Sequence, residues 1–259
     1  MTNYYFLASL LPSLQIGAKP ELPFRVMGKL LKVNLTETDL KQVRAVRRYY
    51  DIRNVRSYWI EEELSPYGNL KRPDLEEAHL TGEGFPDYVN DFIDRFERVD
   101  DRLHHFPSLI ASYFNEEMEE ASGYLLRYLT FERRWRLVAT AFRSKAEGRN
   151  IAEELQYEDP FDDLVAQLLA QKDAKSWQLP DEFSGLLELL EENYTAPMQL
   201  HKALCEYRFE KLLSMTEGDF FSIDRLLGYL TRLIIVEKWM ELDQETGLTA
   251  LDNIVKEVQ

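Results

Sequence analysis

His201 and Cys205 stand four residues apart in a stretch, 196–215, with the composition of a helix. That spacing puts imidazole and thiol on one face, where a base beside a thiol makes a nucleophile. A buried structural cysteine next to a surface histidine fits the same spacing. Glu76-x-x-His79 is half of the carboxylate–histidine pattern that helical di-iron proteins use in pairs. A second Glu-x-x-His is missing, and Asp101-x-x-His104 is its nearest substitute. Among 46 acidic residues, one such match arises by chance. The chain has neither a Gly-x-x-x-x-Gly-Lys-Ser/Thr phosphate loop nor a Gly-x-Ser-x-Gly elbow. These residues assign no catalytic, cofactor-binding or metal site.

Charge points to a different kind of function. The formal net charge is −15, so a phosphate backbone would be repelled by most of the surface and nucleic acid is excluded as a partner. Two segments run the other way. Residues 41–57 carry six basic groups against one acid, and residues 123–149 carry seven against two. Such arginines either pair with the protein's own acids or form a basic face for an acidic partner. In the second reading Arg47, Arg48, Arg133 and Arg134 are the partner-binding candidates.

The elements that would position these groups are helices. Across 259 residues, 45% of them hydrophobic, there are 11 Gly and 10 Pro, and no segment alternates with the period of a half-buried strand. Thr36-x-x-Asp39 is a helix-start spacing, predicting a helix to about Glu63. "SPYGNLKRPD" breaks it, and a polar stretch continues to about Gly84. Pro86 opens an amphipathic helix. Between Ser108 and Asp159 only Gly123 and Gly148 interrupt, and further helices fit 160–171, 181–192, 196–215, 222–245 and 249–258. The opening to about Pro23 reads as short helix plus loop. A lone cysteine, the missing basic n-region of a signal peptide and the lack of a run of about 20 apolar residues predict a soluble, cytoplasmic protein.

One phrase recurs. "GYLLRYLTFERRW" begins at Gly123 and "GYLTRLIIVEKWM" at Gly228, sharing Gly, Tyr, Leu, Arg and Glu at equal offsets. Tyr124, Tyr128, Phe131, Trp135, Val138 and Phe142 follow steps of four and three, which lines one helix face. Tyr229, Leu233, Val236 and Met240 fill the first four matching places. The stripe predicts a core or helix-pairing seam rather than an aromatic ligand box. Arg127 and Arg232 correspond, as do Glu132 and Glu237, with Arg136 one turn after Glu132. A fainter third copy spans 43–59, with Asp51 in the acid's place and Arg47 and Asn54 where Tyr128 and Trp135 would fall. Repetition predicts one all-α domain over 1–259 built from similar helical units, about 36–105, 106–195 and 196–259.

The repeated acid-bearing helix, with its "LVATAFRSKAEGRNIAEEL" continuation, resembles the central-stalk subunit of V-type and A-type rotary ATPases, called C in bacteria and archaea and d in eukaryotes. "DIRNVRSYW" is similar to that family's first unit, "FERRWRLVATAFRSKAEGRNI" to its second and "IVEKWMELDQETGLTALDNI" to its third. "YYFLASLLPSL", followed by a mostly helical acidic chain, resembles a short bacterial group associated with V-type ATPases. The resemblance implies three units around a pseudo-threefold axis, funnel- or socket-like and without significant sheet. It implies a non-catalytic subunit with no cofactor, coupling the rotor shaft to the membrane proteolipid ring during proton or sodium transport. Such a protein is cytoplasmic and peripheral to the membrane through the complex. A helical-repeat adaptor unrelated to rotary ATPases, and a helical metal enzyme using Glu76, His79, Asp101 and His104, are the competing readings.

Overall fold

The computed structural model describes residues 4–174, 177–216 and 220–257, and these are all-α, with no strand among them. In chain order the helices are α1 (Tyr5–Leu10), α2 (Phe24–Asn34), α3 (Glu37–Trp59), α4 (Arg72–Thr81), α5 (Asp87–Arg95) and α6 (Val99–Glu120). They continue as α7 (Gly123–Ala146), α8 (Ile151–Glu154), α9 (Asp163–Ala170), α10 (Ser184–Asn193), α11 (Pro197–Ser214) and α12 (Ile223–Glu257). A 3-10 turn at Asp181–Phe183 leads into α10.

The chain packs as two compact units: Met1–Leu40 with Glu191–Gln259, and Lys41–Leu190. The repeat boundaries 36–105, 106–195 and 196–259 follow the recurring phrase, whereas these units follow packing. In the first unit α11, α2 and α1 pack against α12. One helix here has no signal in the sequence pattern. α2 opens behind Pro23, whose missing N–H costs nothing at a helix start, and buries Phe24, Met27 and Leu31. Each such apolar side chain contributes roughly 1.5–3 kcal/mol of burial. At the other end, the two helices expected over 222–245 and 249–258 are one continuous helix among the described residues, Ile223–Glu257. In the second unit, α4 occupies the stretch that reads as merely polar. It starts with Pro73 in its first turn and Asp74 accepting from the Lys71 amide.

α6, α7, α8 and α9 form the body of the second unit, with α5 against α6. α6 continues through Pro107, although proline removes the N–H that would bond the Leu103 carbonyl. Only Ala121 and Ser122 separate α6 from α7, and Gly123 takes a left-handed φ of 58° there. Gly228 plays no such part, since it lies inside α12. The shared glycine of the two phrases therefore has two different reasons.

The stripe is core only in part. Tyr124, Tyr128 and Val138 are buried, as are Tyr229, Leu233 and Val236 in the second copy. Phe131, Trp135 and Phe142 are half-buried. Arg127 is exposed while its counterpart Arg232 is buried, donating from Nε to the Gly228 carbonyl at 3.0 Å over the Phe209 ring.

A third acid organises the loop that ends α3. Asp51, buried, accepts from the Leu70 amide at 2.9 Å and from Asn69 Nδ2 at 2.7 Å. One turn on, Asn54 accepts from the Ser65 amide at 2.8 Å and donates to the Ser65 carbonyl at 3.0 Å. The "SPYGNL" break is thus stapled to α3 by two polar side chains three residues apart. Gly68 lies so close that an added Cβ would sit 2.5 Å from Asp51 Oδ1 and 2.9 Å from Asn54 Nδ2. Gly68→Ala is expected to destabilise the second unit by about 1–3 kcal/mol, read by chemical denaturation, because neither buried partner can move aside.

Candidate functional site

The four arginines expected to face a partner each have an internal engagement. Arg133 is buried and forks onto two acids: Nε and Nη2 reach Glu158 at 2.9 and 2.7 Å, and Nη1 reaches Asp162 at 2.8 Å. Asp162 also caps α9 by accepting from the Leu164 and Val165 amides. Arg134 pairs with Glu182 at 2.8 Å. Arg48 forms an ion pair with Glu117, which Tyr88 also contacts at 3.4 Å. Arg47 donates to the carbonyls of Tyr67 and Gly68. Pairing with the protein's own acids, the other reading of these charges, describes Arg48, Arg133 and Arg134, while Arg47 is held by backbone carbonyls.

The exposed guanidiniums of the two basic segments lie elsewhere. α3, α6 and α7, with α8 and the turn after it, enclose a cleft of about 510 Å³ within the second unit. Five arginines and two glutamates line it, over a floor that includes Phe106, Ile110 and Phe114. Arg133, Arg136 and Arg149 are neutralised by acids: Glu158 and Asp162, Glu132, and Glu147 and Glu154 respectively. Arg53 and Arg143 are exposed, and neither has a carboxylate partner among the described residues.

Trp135 and Arg136 line the same cleft. Glu132 is almost fully buried and accepts from Trp135 Nε1 at 3.1 Å while pairing with Arg136. The Arg136 guanidinium lies 4.6 Å from the Tyr49 ring centroid and 4.8 Å from that of Trp135. Burial pulls Arg136 down, but Glu132 and Tyr49 outweigh it and raise its pKa. Burial would likewise push the Tyr49 hydroxyl up; Arg136 and Arg53 overcome it and bring it down to about 8. One tyrosine is therefore expected to ionise near pH 8 in an ultraviolet titration, and Tyr49→Phe to abolish that step. A depressed acid pKa adds stability above the unfolded value of 10.0 and loses it as pH falls through about 8. Wild type should accordingly gain on Tyr49→Phe between those limits and not below them.

Sequence spacing pointed elsewhere for chemistry. His201 Nε2 and Cys205 Sγ do meet, at 3.5 Å, with the thiol buried. Glu76 pairs with Arg72, and His79 packs edge-on against Tyr58. Among the described residues, no three of His, Cys, Asp and Glu group where a metal ion could be held. Residue spacing carries no sign of the first unit's exposed apolar surface. Tyr5, Phe6, Leu10, Phe220 and Phe221 are exposed, with the Tyr5 and Phe221 rings 4.5 Å apart. The clue was present in "YYFLASLL", whose aromatics are too many for α1 to bury. Among the described residues, no helix is long and apolar enough to cross a membrane.

A family profile described as "Protein of unknown function (DUF2764)" matches residues 1–259. The chain belongs to the DUF2764 family. It is similar to an "Uncharacterized protein" of Chlamydia muridarum, 27% identical over 241 residues and 91% of each chain. A Chlamydia trachomatis protein matches to the same extent, and one from Chlamydia pneumoniae is 27% identical over 265 residues, covering 100% of each chain. No solved structure matches. For DUF2764 the cleft and the exposed aromatic surface are thus described from this chain's own residues.

Proposed function

We propose that this DUF2764 protein is a non-catalytic central-stalk subunit of a V-type ATPase or ATP synthase, coupling the rotor shaft to the membrane proteolipid ring. The observation that carries this reading is the work done by the three matched acids. Asp51, Glu132 and Glu237 sit at corresponding places of the recurring phrase, on three long helices, and each is engaged with another part of the fold or its own helix. Asp51 holds the Leu70 amide, Glu237 accepts from the Phe24 amide at the start of α2 at 2.7 Å, and Glu132 fixes Trp135 and Arg136. Acids used this way stiffen a body and leave no carboxylate for catalysis there. A rotor element needs that stiffness and surfaces for two partners. An arginine-lined cleft in one unit and an exposed aromatic surface in the other supply two surfaces of different chemistry. Together with the resemblance of all three copies to the central-stalk family, they favour a pseudo-threefold socket over an adaptor or a metal enzyme.

Mixing the purified protein with the shaft subunits, and separately with the detergent-solubilised ring, tests the proposal. Co-elution with both is the expected result. Binding to neither overturns it.

A further inference from the structure

We infer that the cleft between α3, α6 and α7 is the seat of an acidic segment of the shaft, held by Arg53 and Arg143. This rests on the rotary reading above and goes beyond it by naming the surface and the chemistry that fills it. The occupant must be anionic. Three of the five lining arginines are already neutralised, and the remaining two are exposed, on α3 and α7, and lack carboxylates among the described residues. Guanidinium forks match carboxylates bidentately, so these two groups on different helices specify an acidic occupant.

The occupant must also bring apolar surface. The same cleft is lined by the half-buried Phe106, Ile110 and Trp135, the last with its ring edge fixed by Glu132. Trp, Tyr and Arg clustered around a concave floor are the residue types that dominate binding energy at protein interfaces. An inorganic anion would leave that floor wet. A polypeptide segment carrying an apolar side chain flanked by acids fills floor and rim together. Two exposed charge pairs suit a water-soluble partner, and in the rotary reading that partner is the shaft rather than the membrane ring. The exposed aromatic surface of the first unit leaves the ring a contact of its own.

The same opposite-charge matching should steer encounter, in a protein whose net charge of −15 otherwise repels acidic partners.

The test compares wild type with the double variant Arg53→Glu, Arg143→Glu against purified shaft subunits and against the solubilised ring. Both positions are exposed, although Arg53 also bonds the Tyr49 hydroxyl, so circular dichroism is recorded first and binding is read on variant protein with the wild-type spectrum. The variant is expected to lose more than about tenfold in shaft affinity and to keep ring binding. A photo-crosslinking residue at Thr140, on the cleft wall, should attach wild type to a shaft peptide rich in Asp and Glu. Wild type that binds no shaft overturns the rotary reading and this inference with it. Wild type that binds the shaft, with the double variant within about twofold of it, overturns the inference alone and leaves the rotary reading standing. A Thr140 cross-link to a shaft segment without acids does the same, independently of how the variant folds.

Discussion

Arg133→Ala should lower the stability of the protein by about 3–5 kcal/mol in chemical denaturation, whereas the adjacent Arg134→Ala should cost at most about 1 kcal/mol. The two arginines are neighbours in sequence and both have carboxylate partners, so the contrast reports on burial and on the number of acids each one holds. Arg133 bridges Glu158 and Asp162 with its side chain 10% exposed, and its removal strands two acids in a poorly hydrated place. Arg134 and Glu182 are 25% and 53% exposed, and water replaces either partner. The pH dependence carries a second signature. Burial raises Asp162, but its hydrogen bond from Arg133 and the α9 amides prevail and hold it below the usual carboxylate range. A depressed acid gives stability above its unfolded pKa and loses it as pH falls through the folded one. The gap between wild type and Arg133→Ala should therefore narrow on acidification below the ordinary aspartate pKa of 3.8. A gap under about 0.5 kcal/mol at neutral pH would mean that Arg133 is not the bridge between α7 and α9.

That pairing also explains what the sequence could and could not reveal. Periodicity located α3, α5, α9 and α11 to within a few residues, because each has a cap or a proline at its start and an apolar stripe to bury. It passed over α4, whose charged surface leaves only Leu75 and Ala78 buried and so little period to detect. The charge runs at 41–57 and 123–149 were legible as counts, but a count carries no direction. Arg133 and Arg134 differ by one helical step, which turns one toward Asp162 and the other toward Glu182. Arg53 and Arg143 stand out only once the other arginines have been given their acids. Trp135 shows the same limit. Its place in the stripe puts it on the core side, yet the polar end of the indole is drawn to Glu132 and the ring is left half-buried beside the cleft.

Glu132→Ala is expected to be the most costly change among the three matched acids, at about 2–4 kcal/mol. Its carboxylate is buried between an indole N–H and a guanidinium, and Arg136 is left behind with its side chain 21% exposed. That residual access to water keeps the loss below that of a fully enclosed pair. Glu237→Ala removes an acceptor from the first amide of α2, a loss of the size of a missing helix cap, about 1–2 kcal/mol. The conservative variants separate the two roles. Glutamine still offers an oxygen to the Phe24 amide, so Glu237→Gln should recover most of the stability. Glu132→Gln should not, because Arg136 needs the charge and not merely an acceptor. Tyr49 reports on the same site: without the Glu132 carboxylate, which holds its hydroxyl up against Arg136, its ionisation should move below about 8. If Glu132→Gln were as stable as wild type, Glu132 would serve its site as an acceptor and not as a charge. The two phrases would then be equivalent in mechanics as well as in letters.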